Sequence, residues 1–263
     1  MNRYYIRFLL QRDLKLYQHP VLIVLIVLPV VQLCSFSSRL YEAYQQLLRH
    51  YPVGTIGTSS ERRPDPSLTA ASLPSLMDES GLLTSGLIAV LLLMALTVPV
   101  LLSDTRDGKN IATQMRLPIS RLHYYGVRML LPTAAMALLW LIELFVSLVF
   151  WGMYHLTIPD VCMPAGADAA CWTSELCLAW FPIATPARIP AALCGIVLFP
   201  AATVLCALAN RGRDILCLAG EAVAVIGCVL FFIPGWVSSL FIPLITVGII
   251  LFSGWAISHR KTF

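Results

Sequence analysis

The groups in this 263-residue chain that could do chemistry are fourteen carboxylates, five histidines and eight cysteines, unevenly spread. Asp104 and Asp107 alternate with Arg106 and Lys109. Two acids at one membrane face could serve general acid and base work, but these two lie among cations and read as a solvated cluster. Cys162, Cys171 and Cys177 fall close together. In an oxidising outer compartment two of them would form a disulfide, closing a loop of about ten residues for a few kcal/mol. The sharper alternative is a soft-metal cluster with His155 and Met163. Glu143 and Glu221 interrupt apolar runs. An ionised carboxylate in hydrocarbon is costly, so each must face protein or water. Glu143 could line a substrate path or pair with a polar neighbour. Glu221, near Arg211 and Arg213, reads as structural. The chain has no Gly-x-x-x-x-Gly-Lys-Ser/Thr, His-Glu-x-x-His, Gly-x-Ser-x-Gly or Cys-x-x-Cys. It therefore binds no ATP through a P-loop of its own, and neither an enzyme nor a cofactor or resident metal site is expected.

The elements that carry these groups follow from composition. Hydrophobic residues make up 58% and charged residues 12% of the chain, about half the usual charged share. Mean hydropathy is +0.79. Those figures exclude disorder, collagen and a disulfide scaffold. The net charge of +4 comes from short clusters, which excludes nucleic acid as a partner. An all-α, polytopic membrane protein remains.

Charge-free apolar runs long enough to cross about 30 Å of hydrocarbon predict six spans, at residues 20–44, 81–103, 124–153, 188–210, 215–233 and 240–258. Ala222 to Ser258 carries no formal charge, and as one helix would be roughly 55 Å long, too long for one crossing. Pro234 and Gly235 break it, giving an outer turn at 234–239. Residues 45–80, rich in Ser, Thr and Pro, read as an irregular outer loop, and 154–187 as a second outer loop holding the three cysteines. The five other cysteines sit in spans, where a thiol behaves as a small apolar group.

Orientation follows from the basic residues. Arg3, Arg7, Arg12, Lys15, Arg106, Lys109, Arg116, Arg121, Arg128, Arg211, Arg213, Arg260 and Lys261 fall on one side. These are thirteen of the eighteen. Both termini are thus expected in the cytoplasm, with the chain multi-pass in the cell inner membrane. Arg3, Arg7, Gln11 and Lys15 recur every four residues, and Ile6, Leu10, Leu14 and Tyr17 fall on another face. That suits an interfacial helix over residues 1–19 lying on membrane lipid, or a basic flank that only sets topology.

The connection at 104–123 leaves one span through Asp104, Arg106, Asp107 and Gly108. It passes a short helix-like piece containing Gln114 and starts the next span through Leu117, Pro118, Ile119, Ser120 and Arg121. On composition alone it is a solvated loop. The stretch resembles the coupling segment of ABC-2 type transporter permeases, the membrane subunits of ATP-binding-cassette exporters. The segment Gln11-Arg-Asp-Leu-Lys15 is similar to that family's N-terminal elbow helix. The connection 207–214, with its four-residue cytoplasmic turn at 211–214, is similar to the family's link between spans four and five. Asn110 stands where Thr or Ser is more usual, and aspartates stand where glutamates are commoner. The resemblance implies a permease subunit that moves a hydrophobic or amphipathic substrate (drug, peptide or lipid-like) out of the cytoplasm or inner leaflet. It implies a second permease subunit, in a homo- or heterodimer, and cytoplasmic ABC ATPase subunits that hold the ATP and Mg. It assigns ATPase coupling to Asp104, Arg106, Asp107, Gly108, Gln114, Leu117, Pro118, Ser120 and Arg121. The alternatives are a membrane-embedded enzyme or a haem or cytochrome-maturation component.

Overall fold

A computed structural model describes residues 3–50, 70–106, 121–164, 171–212, 215–232 and 236–259. Among them every regular element is helical. In chain order these are α1 (Arg3–His50), α2 (Leu73–Glu79), α3 (Leu82–Arg106), α4 (Arg121–Thr157), α5 (Glu175–Trp180), α6 (Ile189–Gly212), α7 (Ile215–Phe232) and α8 (Trp236–His259). Single 3-10 turns stand at Asp160–Cys162, Cys171–Thr173 and Pro186–Arg188.

Three stretches among the described residues are long and apolar enough to cross a membrane: Leu10–Leu47, Met129–Thr157 and Pro186–Val204. A fourth forms if α2 and Leu82–Thr97, bent by 48° at their junction, count as one crossing. Ala222–Phe231 and Ser239–Ser253 are apolar but shorter. The burial pattern is that of a membrane protein. Leu22, Ile23, Ile26, Val27, Val30 and Val31 of α1 are exposed, as are Leu138, Leu141, Phe145 and Leu148 of α4, while Glu143 is wholly buried. Such continuous apolar faces are foreign to a water-soluble monomer and natural against lipid.

The described helix bounds differ from the expected segments at several points. The interfacial helix at 1–19 and the span at 20–44 form one uninterrupted helix, α1, of 48 residues. At roughly 72 Å it is more than twice the hydrocarbon thickness. Pro20 and Pro29 lie inside it without ending it, as lipid-embedded helices tolerate. The loop expected at 45–80 is not irregular throughout, because α2 lies within it. Ser72 caps α2, its hydroxyl accepting from the Ser75 amide, and a proline stands in the first turn. The outer loop at 154–187 carries α5, capped by the Ser174 hydroxyl, which accepts from the Cys177 amide. The third span begins at Arg121 and runs to Thr157, beyond 124–153 at both ends. Residues 107–120, 213–214 and 234–235 lie outside the described residues.

The chain divides into two compact units. Unit 1 comprises Met1–Ile26, Ile88–Trp140 and Ala187–Phe263. In it α6, α7 and α8 pack on one another through small residues. A Cβ on Gly195 would fall 2.3 Å from Cε2 of Phe231, and one on Gly227 would fall 2.8 Å from Cγ2 of Ile245. Phe199 meets Phe231 edge to face at 5.4 Å. Close approach of this kind is how helices associate where no hydrophobic driving force separates them from lipid. Elsewhere in unit 1 the Tyr17 hydroxyl is hydrogen-bonded to that of Thr97, which donates to the Leu93 carbonyl at 2.6 Å.

Unit 2 comprises Val27–Leu87 and Leu141–Pro186. Phe36 and Phe150 stack at 4.3 Å in its interior. The break between α2 and α3 is made by Gly81, whose φ of 68° suits a residue without Cβ. The Ser80 carbonyl exposed there accepts from the Ser35 hydroxyl at 2.9 Å. Around it, the Tyr154 hydroxyl donates to Ala71 O at 3.1 Å and the Ala70 amide to Cys162 O at 3.1 Å. Asp78 accepts from the Glu175 amide at 2.9 Å, which ties α2 to the start of α5.

Candidate functional site

The one wholly buried carboxylate among the described residues belongs to Glu143, in the part of α4 that lies in unit 2. Its neighbours come from three other helices. From α1, Gln32 sends Nε2 to Oε1 and Oε2 of Glu143, at 3.0 and 3.2 Å, and to Oγ of Ser85 on α3, at 3.1 Å. Gln32 is 1% exposed. The Ser85 hydroxyl donates one turn back to Leu82 O at 2.8 Å. Ser147, on the same helix as Glu143, donates to the Glu143 main-chain oxygen at 2.8 Å and not to its carboxylate.

Gly86 is what lets α3 approach. A Cβ there would lie 3.3 Å from Glu143 Oε1, 3.6 Å from Trp180 Nε1 and 3.9 Å from Leu176 Cδ1. A Cβ at 86 would crowd the carboxyl while meeting the α5 residues at ordinary contact distance. The helix break at Gly81, five residues earlier, acts to the same end. By turning the chain at Gly81, it starts α3 at Leu82 and puts Ser85 and Gly86 in the first turn and a half.

Chemically, the cluster offers a buried acid and a buried amide with a half-buried hydroxyl, and no nucleophile and base are in contact among them. Among the described residues no group of three or more His, Cys, Asp and Glu comes together to hold a metal. The soft-metal reading of Cys162 with His155 therefore has no assembled donor set there. Cys162 is a buried free thiol, and Cys177 is buried in α5. The side chain of Cys171 lies outside the described residues.

The remaining site expectations divide in two. Asp104 and Arg106 fall in the last turn of α3 and Arg121 is the first residue of α4, with their side chains outside the described set. Asp107, Gly108, Gln114, Leu117, Pro118 and Ser120 lie outside the described residues. Glu221 is on α7, its side chain likewise not described. Of the two acids expected within spans, Glu143 faces protein, as its cost in hydrocarbon requires. Sequence reasoning missed its partners. Gln32 carried a readable signal, being the one amide in the apolar run 20–38. Ser85 and Gly86 carried none, since small residues are common in membrane helices.

No family model, no curated protein and no solved structure matches this chain.

Proposed function

We propose that the chain is the membrane-spanning permease subunit of an ATP-binding-cassette exporter. In this reading six spans lie in the cell inner membrane with both termini cytoplasmic. Two such subunits pair, and cytoplasmic ATPase subunits dock beneath them. The substrate is hydrophobic or amphipathic, in keeping with apolar helices whose wholly buried acid among the described residues, Glu143, is engaged by an amide. Six helices enclose little beyond their own core, so a path for such a substrate needs the second subunit.

The reading is supported by where the coupling-like stretch falls in the sequence, between the end of one described helix and the start of the next. α3 ends on Arg106 and α4 begins on Arg121, so residues 107–120 join two long apolar helices through their basic ends. In this reading that charged connection receives force from a cytoplasmic partner and passes it to both helices. The connection between α6 and α7, from Gly212 to Ile215, is shorter still and has its own basic residues in sequence, Arg211 and Arg213.

The test is a double substitution, Arg106→Ala with Asp107→Ala, in the full chain co-expressed with the ATPase that co-purifies with it. Membrane insertion is expected to be unchanged. ATP hydrolysis should fall to the rate of the ATPase alone, with loss of transport. A well-inserted double variant with unchanged hydrolysis and transport would remove the assignment.

A further inference from the structure

Glu143 poses a charge problem that its surroundings solve in one way. The described groups about the carboxyl are Gln32 from α1 and Ser85 and Gly86 from α3, with Leu176 and Trp180 of α5 beyond Gly86 and Ser147 on the Glu143 main chain. None is a cation. The ion pairs resolved among the described residues, Arg12 with Asp13 and Arg39 with Glu42, lie elsewhere. An ionised carboxylate here would be a full charge at zero exposure within an apolar helix long enough to cross a membrane.

The hydrogens can be counted. Gln32 Nε2 has two, and three acceptors lie within 3.2 Å of it. With one directed to Ser85 Oγ, the two carboxyl oxygens share the other. A single neutral N–H falls well short of what an ionised carboxylate accepts, which is about four lone-pair sites. A bound metal cation is the second way to cancel the charge. Hard cations take about six to eight oxygens, whereas Gln32 Nε2 occupies the face between Oε1 and Oε2 where a bidentate ion would sit. Among the described residues, Gln32 Oε1 and Ser85 Oγ are the side-chain oxygens of this hydrogen-bonded cluster besides the carboxyl. A proton needs one lone pair of Glu143. The cluster also holds an acceptor with nothing to accept, because Gln32 Oε1 is buried without a hydrogen-bond partner. The missing component is a hydrogen.

We propose that Gln32, Ser85 and Glu143 form a proton-binding site within the membrane, in which Glu143 stands as the neutral acid in the resting protein. The event is the addition of one proton to one carboxylate oxygen and involves no other reactant. The site requires that these helices span lipid. It does not require the exporter assignment, and would stand if no ATPase partner were found.

The experiment is infrared spectroscopy of the full-length protein in lipid vesicles at neutral pH, with glutamate carboxyls carbon-13 labelled. The wild-type minus Glu143→Gln difference should contain a protonated-acid C=O band that moves with the label and on exchange into heavy water. A difference holding only carboxylate stretches overturns the proposal. Gln32→Met supplies the same decision should Glu143→Gln fail to insert. Loss of the N–H donor should raise the frequency of the labelled acid band. A change confined to the carboxylate bands overturns the assignment.

Discussion

Replacing Gln32 and Glu143 by methionine, singly and together, should give three stabilities that do not add. Met matches both side chains in length and flexibility and has no strong polar group, so the changes remove hydrogen bonds with little change in volume. In Gln32→Met, the contacts at 3.0, 3.2 and 3.1 Å vanish together and Glu143 keeps its burial with no donor. Leaving a buried polar group unsatisfied costs about 1–3 kcal/mol, more when it is charged. Interhelical hydrogen bonds in membranes average about 0.6 kcal/mol and reach about 1.7, because the reference state in lipid finds partners too. The expected cost of Gln32→Met is therefore about 2 kcal/mol. Glu143→Met strands only a neutral amide that still reaches Ser85, and should cost about 1 kcal/mol by the same reasoning. The double variant strands neither partner and should cost less than Gln32→Met alone, as when a buried polar pair is exchanged for apolar residues of similar volume. The assay is reversible unfolding of the purified chain in mixed micelles, analysed as a double-mutant cycle. Costs that add to within about 0.5 kcal/mol would show that the two residues do not act as a unit and would refute the reasoning.

Two further predictions concern the rest of the chain. Gly195→Ala should destabilise the packing of α6 on α7, since its Cβ would fall 2.3 Å from Phe231. Overpacking costs about 1–3 kcal/mol, offset by about 1 kcal/mol of helix propensity. Adding Phe231→Leu should recover the loss, and a stable single variant in the same unfolding assay would count against this contact. Cys162, a free thiol at 5% exposure, should resist a bulky maleimide in the native protein and react after denaturation without reductant. Its failure to react when unfolded would mean that it is bridged.

The membrane character of this chain was legible from residue types alone. A run such as residues 20–38, with one amide and no charge, has no other solvent in which it can stand as a helix, and hydropathy reports that locally. The cost of Glu143 was equally local, and so was the conclusion that it must face protein. Where the helices begin and end was only partly legible. Pro20 reads as a boundary because it lacks an N–H, yet α1 passes through it, since a helix in apolar surroundings has nowhere else to place its remaining polar groups. The caps at Ser72 and Ser174 were visible as residue types but masked by the Ser- and Thr-rich loops around them. The tertiary structure alone decided what Glu143 faces. Gln32 is 111 residues away in sequence, and nothing in the spacing of either run encodes their meeting. That contact depends on the turn at Gly81, which bends the chain by 48°, and on the missing side chain at Gly86. Periodicity records which face of a helix is apolar, but a hydrogen bond between helices depends on their relative rotation and separation, and those are set only when the helices pack.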